Sequence, residues 1–303
     1  MIVPAVTWSV ATDIGLKRER NEDAAGADVR VEPVTGEARG IFVVCDGMGG
    51  HAGGQEASSL AVGALRRRLG WVLEEPWPEP AEVSRLVEEA LGHAHQAIAQ
   101  RNDAADRSGR QRAGTTAVLL LLSGHRGCVA HVGDSRAYLV TGRETVQLTA
   151  DHNVATREAN RGESTREAWA RPDARHLTQA LGPVPDEHLL PTVRPLALGQ
   201  DSLFLLCTDG LSDGGFVETH EAELLRPLLA PGAEVEAGCR ALVARARGFN
   251  GHDNITALLV RVAGLGGESR EPTTEPRPDT PTRQAPAPTR RRWLGRMGLG
   301  RRA

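Results

Sequence analysis

The run Ile41-Phe42-Val43-Val44-Cys45-Asp46-Gly47-Met48-Gly49-Gly50 constrains this chain more than any other stretch. Five apolar residues in a row read as a buried strand, so the acid that follows sits at the end of a rigid element. Gly47, Gly49 and Gly50 let main chain come close to a bound ion or phosphate. The same pattern returns at Leu203-Phe204-Leu205-Leu206-Cys207-Thr208-Asp209-Gly210 and at Cys128-Val129-Ala130-His131-Val132-Gly133-Asp134. It is reversed where Asp253-Asn254 opens the apolar run Ile255 to Val260. Four strands therefore present carboxylates at their ends.

Around these strands the periodicity predicts a mixed fold. Trp8 to Thr12 alternates as a strand, and Asp13 to Asp23 is a polar turn that sets Arg18 beside Glu22 and Asp23. Glu56 to Leu69 and Ala81 to Gln100 carry apolar residues at helical spacing, separated by the proline-rich Glu75 to Pro80. Arg101 to Arg112 reads as a loop. Gly114 to Leu122 is a buried strand that pairs as a meander with Cys128 to Val132 and Ala137 to Val140. Asp151 to Gly182 interrupts the strand rhythm with a helix through Glu158, a turn at Gly162, and a second helix capped by Ser164 and Glu167 and halted at Arg171-Pro172. The last strands are Leu189 to Pro195, Ser202 to Cys207 and Ile255 to Val262, with a helix at Glu234 to Ala246, and the core ends near Ala263. His93 and His95, two residues apart on a helix, cannot share a face as ligands and read as surface or packing residues.

Acids at strand ends with no His or Cys among them form a hard, oxygen-only donor set, which suits Mg²⁺ or Mn²⁺ and not zinc or copper. Carboxylates gathered this closely need cations to be tolerated. Two ions sharing Asp46 would bridge and deprotonate a water for an in-line displacement at phosphorus, with no protein nucleophile. Arg18 would offer a planar fork to two phosphate oxygens. Other chemistries lack their residues. Of 36 basic residues, 35 are arginine and the lone lysine is Lys17, so neither a phosphate-loop lysine nor a kinase strand lysine exists. There is no His-Glu-x-x-His, Gly-x-Ser-x-Gly or calcium-loop pattern. A purely structural carboxylate set is the alternative, at the expense of an unusual amount of buried acid.

Six stretches in order also resemble a family: Arg18-x-x-Asn21-Glu22-Asp23, Val44 to Gly50, Gly114-Thr115-Thr116, Gly133-Asp134-Ser135-Arg136, Asp209-Gly210-Leu211-Ser212-Asp213 and Asp253-Asn254. They are similar to the motifs of bacterial type 2C, or PPM family, metal-dependent Ser/Thr protein phosphatases, across residues 8 to 262. The resemblance implies an α+β fold, a four-layer αββα sandwich of two antiparallel sheets flanked by helices, with 151–182 as a variable flap that influences substrate choice. It implies a metal site of Glu22, Asp46 and the Gly47 carbonyl for one ion and Asp46, Asp209 and Asp253 for the other. Asp134 matches a third, weaker site, Asp23 an acid that orients bound water, and Arg18 the phosphate-binding arginine. Met48 stands where eukaryotic relatives carry a His proposed as general acid, which leaves a metal-bound water as proton donor.

The expected activity is hydrolysis of phosphoserine and phosphothreonine in phosphoproteins, with Mn²⁺ or Mg²⁺ as cofactor and a Ser/Thr kinase or its substrates as partners. An inactive scaffold that keeps the fold is the competing class. A net charge of −3 argues against a general nucleic-acid binder. The four cysteines have no metal spacing and read as reduced, buried thiols. No basic start with an apolar core and no run of 18 apolar residues is present, so the expected location is cytoplasmic. Residues 264–303, with six prolines and six arginines between Arg290 and Arg302, read as a disordered Pro/Thr/Arg-rich tail after a phosphatase domain at 1–263. That tail could touch an anionic membrane.

Overall fold

A computed structural model describes residues 5–49, 53–74 and 76–265. The chain divides into two units, Met1–Pro272 and Thr273–Ala303, and the fold described is that of the first. The tail expectation lies outside the described residues beyond Leu265, as does Gly50 of the glycine run.

In chain order the elements are β1 (Ala5–Asp13), β2 (Ala24–Val31), β3 (Ala38–Cys45), β4 (Gly47–Met48), α1 (Gly53–Arg68), α2 (Trp71–Glu74), α3 (Pro80–Ala104), β5 (Gly114–Thr115), β6 (Ala117–Ser123), β7 (Arg126–Val132), β8 (Arg136–Val140) and β9 (Thr145–Gln147). They continue as α4 (Val154–Asn160), α5 (Thr165–Ala170), β10 (Thr192–Ala197), β11 (Ser202–Cys207), α6 (Asp209–Ser212), α7 (Phe216–Leu224), α8 (Val235–Asn250) and β12 (Ile255–Ala263). One antiparallel sheet has the order β1-β12-β11-β8-β9 and the other β10-β7-β6-β3-β2, with β4 and β5 forming a small ladder of their own.

The unbroken apolar runs are explained by burial on both faces. Successive strand residues point to opposite sides, so Ile41, Val43 and Cys45 pack outward with Leu65, Val87 and Leu91 of α1 and α3. Phe42 and Val44 point inward, against Phe204, Leu206, Leu258 and Val260 of the facing sheet. Leu203, Leu205, Cys207 and Leu259 complete the pattern on the far side with Phe216, Leu242 and Val243 of α7 and α8. Three apolar seams thus separate four layers, helix, sheet, sheet and helix, which is the α+β sandwich that the motifs imply. All four cysteines are buried free thiols.

The meander expectation needs correction. β6 pairs with β7, but β8 leaves for the other sheet and pairs with β11 from Leu203↔Val140 to Cys207↔Arg136. The crossover happens at Gly133, whose φ of 103° turns the chain out of β7. Apolar runs alone do not say which sheet a strand joins. α3 also runs on to Ala104, because buried Asn102 exchanges hydrogen bonds with the Ala113 backbone at 2.8 and 2.9 Å and fixes the loop behind it. β2, α6 and α7 are elements that the apolar pattern does not announce. In the 151–182 segment the reading holds: Ser164 accepts from the Glu167 amide and starts α5.

Candidate metal centre

Strand register gathers the acids. Ala24 pairs with Cys45, so Asp23 and Asp46 stand at neighbouring strand ends. Cys207 pairs with Ala257 on one side and Arg136 on the other, which brings Asp209, Asp253 and the Gly133-Asp134 turn to the same edge. Hydrogen bonds then lock the edge. The Thr116 hydroxyl accepts from the Asp46 amide at 3.0 Å, while the Thr115 hydroxyl and Thr116 amide donate to the Asp46 carbonyl at 2.8 and 2.9 Å. Asn254 binds the 14–22 loop from three directions: its Oδ1 accepts from the Glu22 amide at 2.8 Å, and its Nδ2 donates to the carbonyls of Ile14 and Arg20 at 2.9 Å each. Ser58 Oγ and the Gly47 amide both donate to the Glu22 carbonyl, at 2.6 and 3.2 Å. Only glycine fits at 47, since a Cβ there would stand 2.5 Å from the Glu22 carbonyl oxygen and overlap that of Gly54.

Burial first, and crowding after it, raises the proton affinity of these acids. Burial pushes Asp46 well above the usual carboxylate range, and Asp209, Asp23, Asp134 and Asp253 add like-charge repulsion. Burial lifts Asp134 to about 8, with Asp209 and Asp151 contributing. Asp23 rises to about 7 by burial, although the Thr256 and Thr208 hydroxyls hold it down. Asp209 reaches about 6 by burial, with Asp213 and Asp253 next in effect, and burial also raises Glu22.

Two of these acids already have partners. Arg18 Nη2 donates to Asp253 Oδ2 at 2.5 Å, and Thr208 Oγ1 donates to Asp23 Oδ2 at 3.0 Å. Among the described residues no three His, Cys, Asp or Glu side chains converge as a ready coordination set. The fit to a divalent ion rests on other observations. Asp23 Oδ1 and Asp209 Oδ1 are buried without a hydrogen-bond partner, a costly state that a cation would relieve. The donors at this edge are all oxygens, as manganese and magnesium prefer.

Of the residues read from the sequence, Asp23, Asp46, Asp209 and Asp253 interact with one another, Glu22 interacts with Asp253 and Arg18, Asp134 interacts with Asp46 and Asp209, and Arg18 sits at the rim with its side chain 50% exposed. Met48 is half-buried in the β4–β5 ladder, paired with Gly114. Arg175 was not legible: from the 151–182 segment its Nη1 donates to Asp213 Oδ2 at 2.6 Å, beside Asp209. No sequence motif surrounds Arg175, whereas Asp213, four residues after Asp209, was a visible signal.

Comparison with known proteins follows the same lines. The family model described as Protein phosphatase 2C matches residues 17–244. The chain is 31% identical over 257 residues to the serine/threonine protein phosphatase PstP of Mycobacterium tuberculosis, covering 84% of this chain and 45% of that relative's length. It is 30% identical over 257 residues to the protein phosphatase PhpP of Streptococcus pneumoniae, covering 83% of this chain and 96% of that one. Among solved structures, the crystal structure of Mycobacterium tuberculosis PstP/Ppp superposes with a TM-score of 0.70 at 28% identity, over 85% of this chain and 99% of that one. The PstP catalytic domain in complex with two manganese ions gives a TM-score of 0.67 at 30% identity, over 86% and 99%.

Proposed function

Because the chain belongs to the protein phosphatase 2C family, we propose that it is a manganese-dependent phosphoprotein phosphatase that hydrolyses phosphoserine and phosphothreonine. The observation that carries this reading is the oxygen-only edge: mutually repelling acids with raised proton affinity, two of them holding buried oxygens without partners. Glu22, Asp46 and the Gly47 carbonyl would hold one ion, and Asp46, Asp209 and Asp253 the other. When bound, such a pair lowers the pKa of a shared water and offsets charge on the phosphoryl oxygens.

The chain's own residues do the rest. Thr115 and Thr116 fix the Asp46 backbone, so the strand end from which this carboxylate would reach the ions is held in place. Asp23, held by Thr208, orients the attacking water through its second oxygen. Arg18, hydrogen-bonded to Asp253 and half exposed, presents its remaining donors to two phosphoryl oxygens. Met48 has no proton to give, so the leaving alkoxide takes its proton from water.

Further elements of the proposal are magnesium as a substitute ion, a third ion at Asp134, and a Ser/Thr kinase or its substrates as partners. Residues 1–263 would form the phosphatase domain with a flap at about 151–182, followed by the 264–303 tail, in the cytoplasm. Among the described residues no helix is long and apolar enough to cross a membrane. The deciding experiment is hydrolysis of a phosphothreonine peptide with and without Mn²⁺. Phosphate release that depends on the metal supports the reading, and none in either condition overturns it in favour of a phosphatase-fold scaffold.

A further inference from the structure

His95, which its spacing marks as a surface or packing residue, is only 1% exposed on α3 and reaches two distant segments. Its Nδ1 accepts from the Gly182 amide at 3.0 Å, in a buried hydrogen bond. Its Nε2 stands 3.1 Å from Asp186 Oδ1, and the other oxygen of that carboxylate accepts from Gln96 Nε2 at 3.0 Å. Burial lowers the pKa of the ring against the pull of Asp186, so the ring is neutral, with Nδ1 bare and Nε2 carrying the proton. The two nitrogens differ in what could replace them. Asp186 is 59% exposed and borders a cavity of about 420 Å³, also lined by His95, Gln96 and Leu189, from which water can serve it. The Gly182 amide is buried, so without Nδ1 it is left unpaired.

What Gly182 anchors is one side of the acid edge. The Leu181 amide donates to the Thr115 carbonyl at 2.9 Å, and the Thr115 amide to the Leu181 carbonyl at 3.1 Å, across β5 from β4. The Thr115 hydroxyl and the Thr116 amide both donate to the Asp46 carbonyl. β4 and β5 have two residues each, too short a ladder to hold Thr115 by itself. The third rung at Leu181 therefore matters. Gly182 follows it at φ +100°, and a Cβ there would stand 2.3 Å from Ile98 Cγ2 of α3. The chain thus crosses α3 at a distance only glycine allows, and the bond to His95 fixes the crossing.

Resting on the phosphatase reading, we propose that His95 is a positioning residue for the metal centre. Its Nδ1 holds Gly182, the Leu181–Thr115 pairing carries that constraint to β5, and Thr115 and Thr116 pass it to the Asp46 backbone. His95 touches neither substrate nor ion. The acceptor at Nδ1 is the atom that counts, and the contact of Nε2 with Asp186 is dispensable.

The test compares His95→Asn with His95→Leu in the full chain. The two replacements share one branched shape, but only asparagine sets an oxygen near the place of Nδ1. In metal-free protein, hydrogen exchange of the peptide 113–118 should quicken about tenfold or more in His95→Leu and stay within about twofold of the parent in His95→Asn. With Mn²⁺, His95→Leu should lower kcat on a phosphothreonine peptide about fivefold or more and weaken Mn²⁺ binding in calorimetry by a similar factor, while His95→Asn keeps both. Val87→Ala, in the core on the same helix, is the control for stability alone: it should lower the melting temperature yet leave exchange at 113–118, kcat and Mn²⁺ affinity within about twofold. Parent-like exchange and kcat in His95→Leu overturn the proposal, as do equal losses in Val87→Ala. A loss in His95→Asn overturns it too, whether or not the leucine variant folds. A parent that hydrolyses no phosphopeptide with Mn²⁺ fells the phosphatase reading and the proposal with it, whereas an active parent with an indifferent His95→Leu fells the proposal alone.

Discussion

Replacing Asp151 by alanine should be among the most damaging single changes in this protein, for an electrostatic reason. Arg136 Nε and Nη2 donate to Asp151 Oδ1 and Oδ2 at 2.9 and 2.7 Å, a bidentate pair whose side chains are only 16% and 7% exposed. Without the acid, the guanidinium retains the Tyr138 hydroxyl at 3.2 Å, which carries no charge. Stripping one partner from a buried pair costs about 3–5 kcal/mol, against about 1 kcal/mol or less for an exposed one such as Arg85–Glu89 on α3. For a domain of this size each kcal/mol moves the melting temperature by about 2–4 °C, so Asp151→Ala should lower it by roughly 6–20 °C. The cause is a stranded charge, not a lost attraction. Arg136→Met combined with Asp151→Leu should therefore recover most of the loss, because apolar replacements of a whole buried pair are often neutral. Thermal melting by circular dichroism of parent, single and double variants decides the matter. A single variant melting within about 1 °C of the parent, or a double variant melting as low as the single, refutes the reasoning.

Other outcomes follow from the same geometry. Asp209→Asn nearly keeps the shape of a strand-end side chain while removing a charge, so it should cut Mn²⁺-dependent peptide hydrolysis by about 100-fold or more and weaken Mn²⁺ binding in calorimetry; full activity would sink the two-metal assignment. Arg18→Ala should lower kcat/KM by about tenfold or more without weakening Mn²⁺ binding, since the loss of Arg18 frees Asp253 Oδ2 for the ion; a fall in Mn²⁺ affinity as large as that of Asp209→Asn would refute the phosphate-positioning role. Manganese at about 100 times its Kd should stabilise the native state by about 2.7 kcal/mol, and an unchanged melting temperature in millimolar Mn²⁺ would count heavily against the site. Acid stability should report His152. Burial, with His131 stacked at 4.4 Å as a like charge, lowers its pKa from 6.5 to about 4, despite the opposing pull of Asp151. The unfolded chain then binds the proton more readily between those values, so this stabilisation is present above pH 6.5 and is lost as pH falls toward 4. His152→Gln should flatten that part of the stability–pH curve, and an unaltered slope would exclude the histidine as its source.

The strands and their acids were legible because they are local. A run such as Ile41 to Cys45 can be read as a strand buried on both faces without knowing its neighbours, and the residue after it must then lie at a sheet edge. The caps at Ser164 and the helices before and after Pro80 were readable for the same reason. Family motifs added the four-layer architecture and the grouping of Glu22, Asp46, Asp209 and Asp253, which periodicity alone does not supply.

What tertiary structure decided is everything that depends on residues distant in the chain. Which sheet accepts β8 is settled by pairing with β11, some sixty residues on, and not by β8's own pattern. Asp23 and Thr208 are 185 residues apart, and Arg18 and Asp253 are 235, yet their contacts set how two of the acids are held. The raised proton affinity of Asp46 is a property of burial and of four other carboxylates converging on one edge, none of it inherent in an aspartate that follows a strand. Arg175 reaching Asp213, and His95 accepting from the Gly182 amide, belong to the same class. Local periodicity can say that a side chain leaves the core, but only the packed layers fix what it meets there.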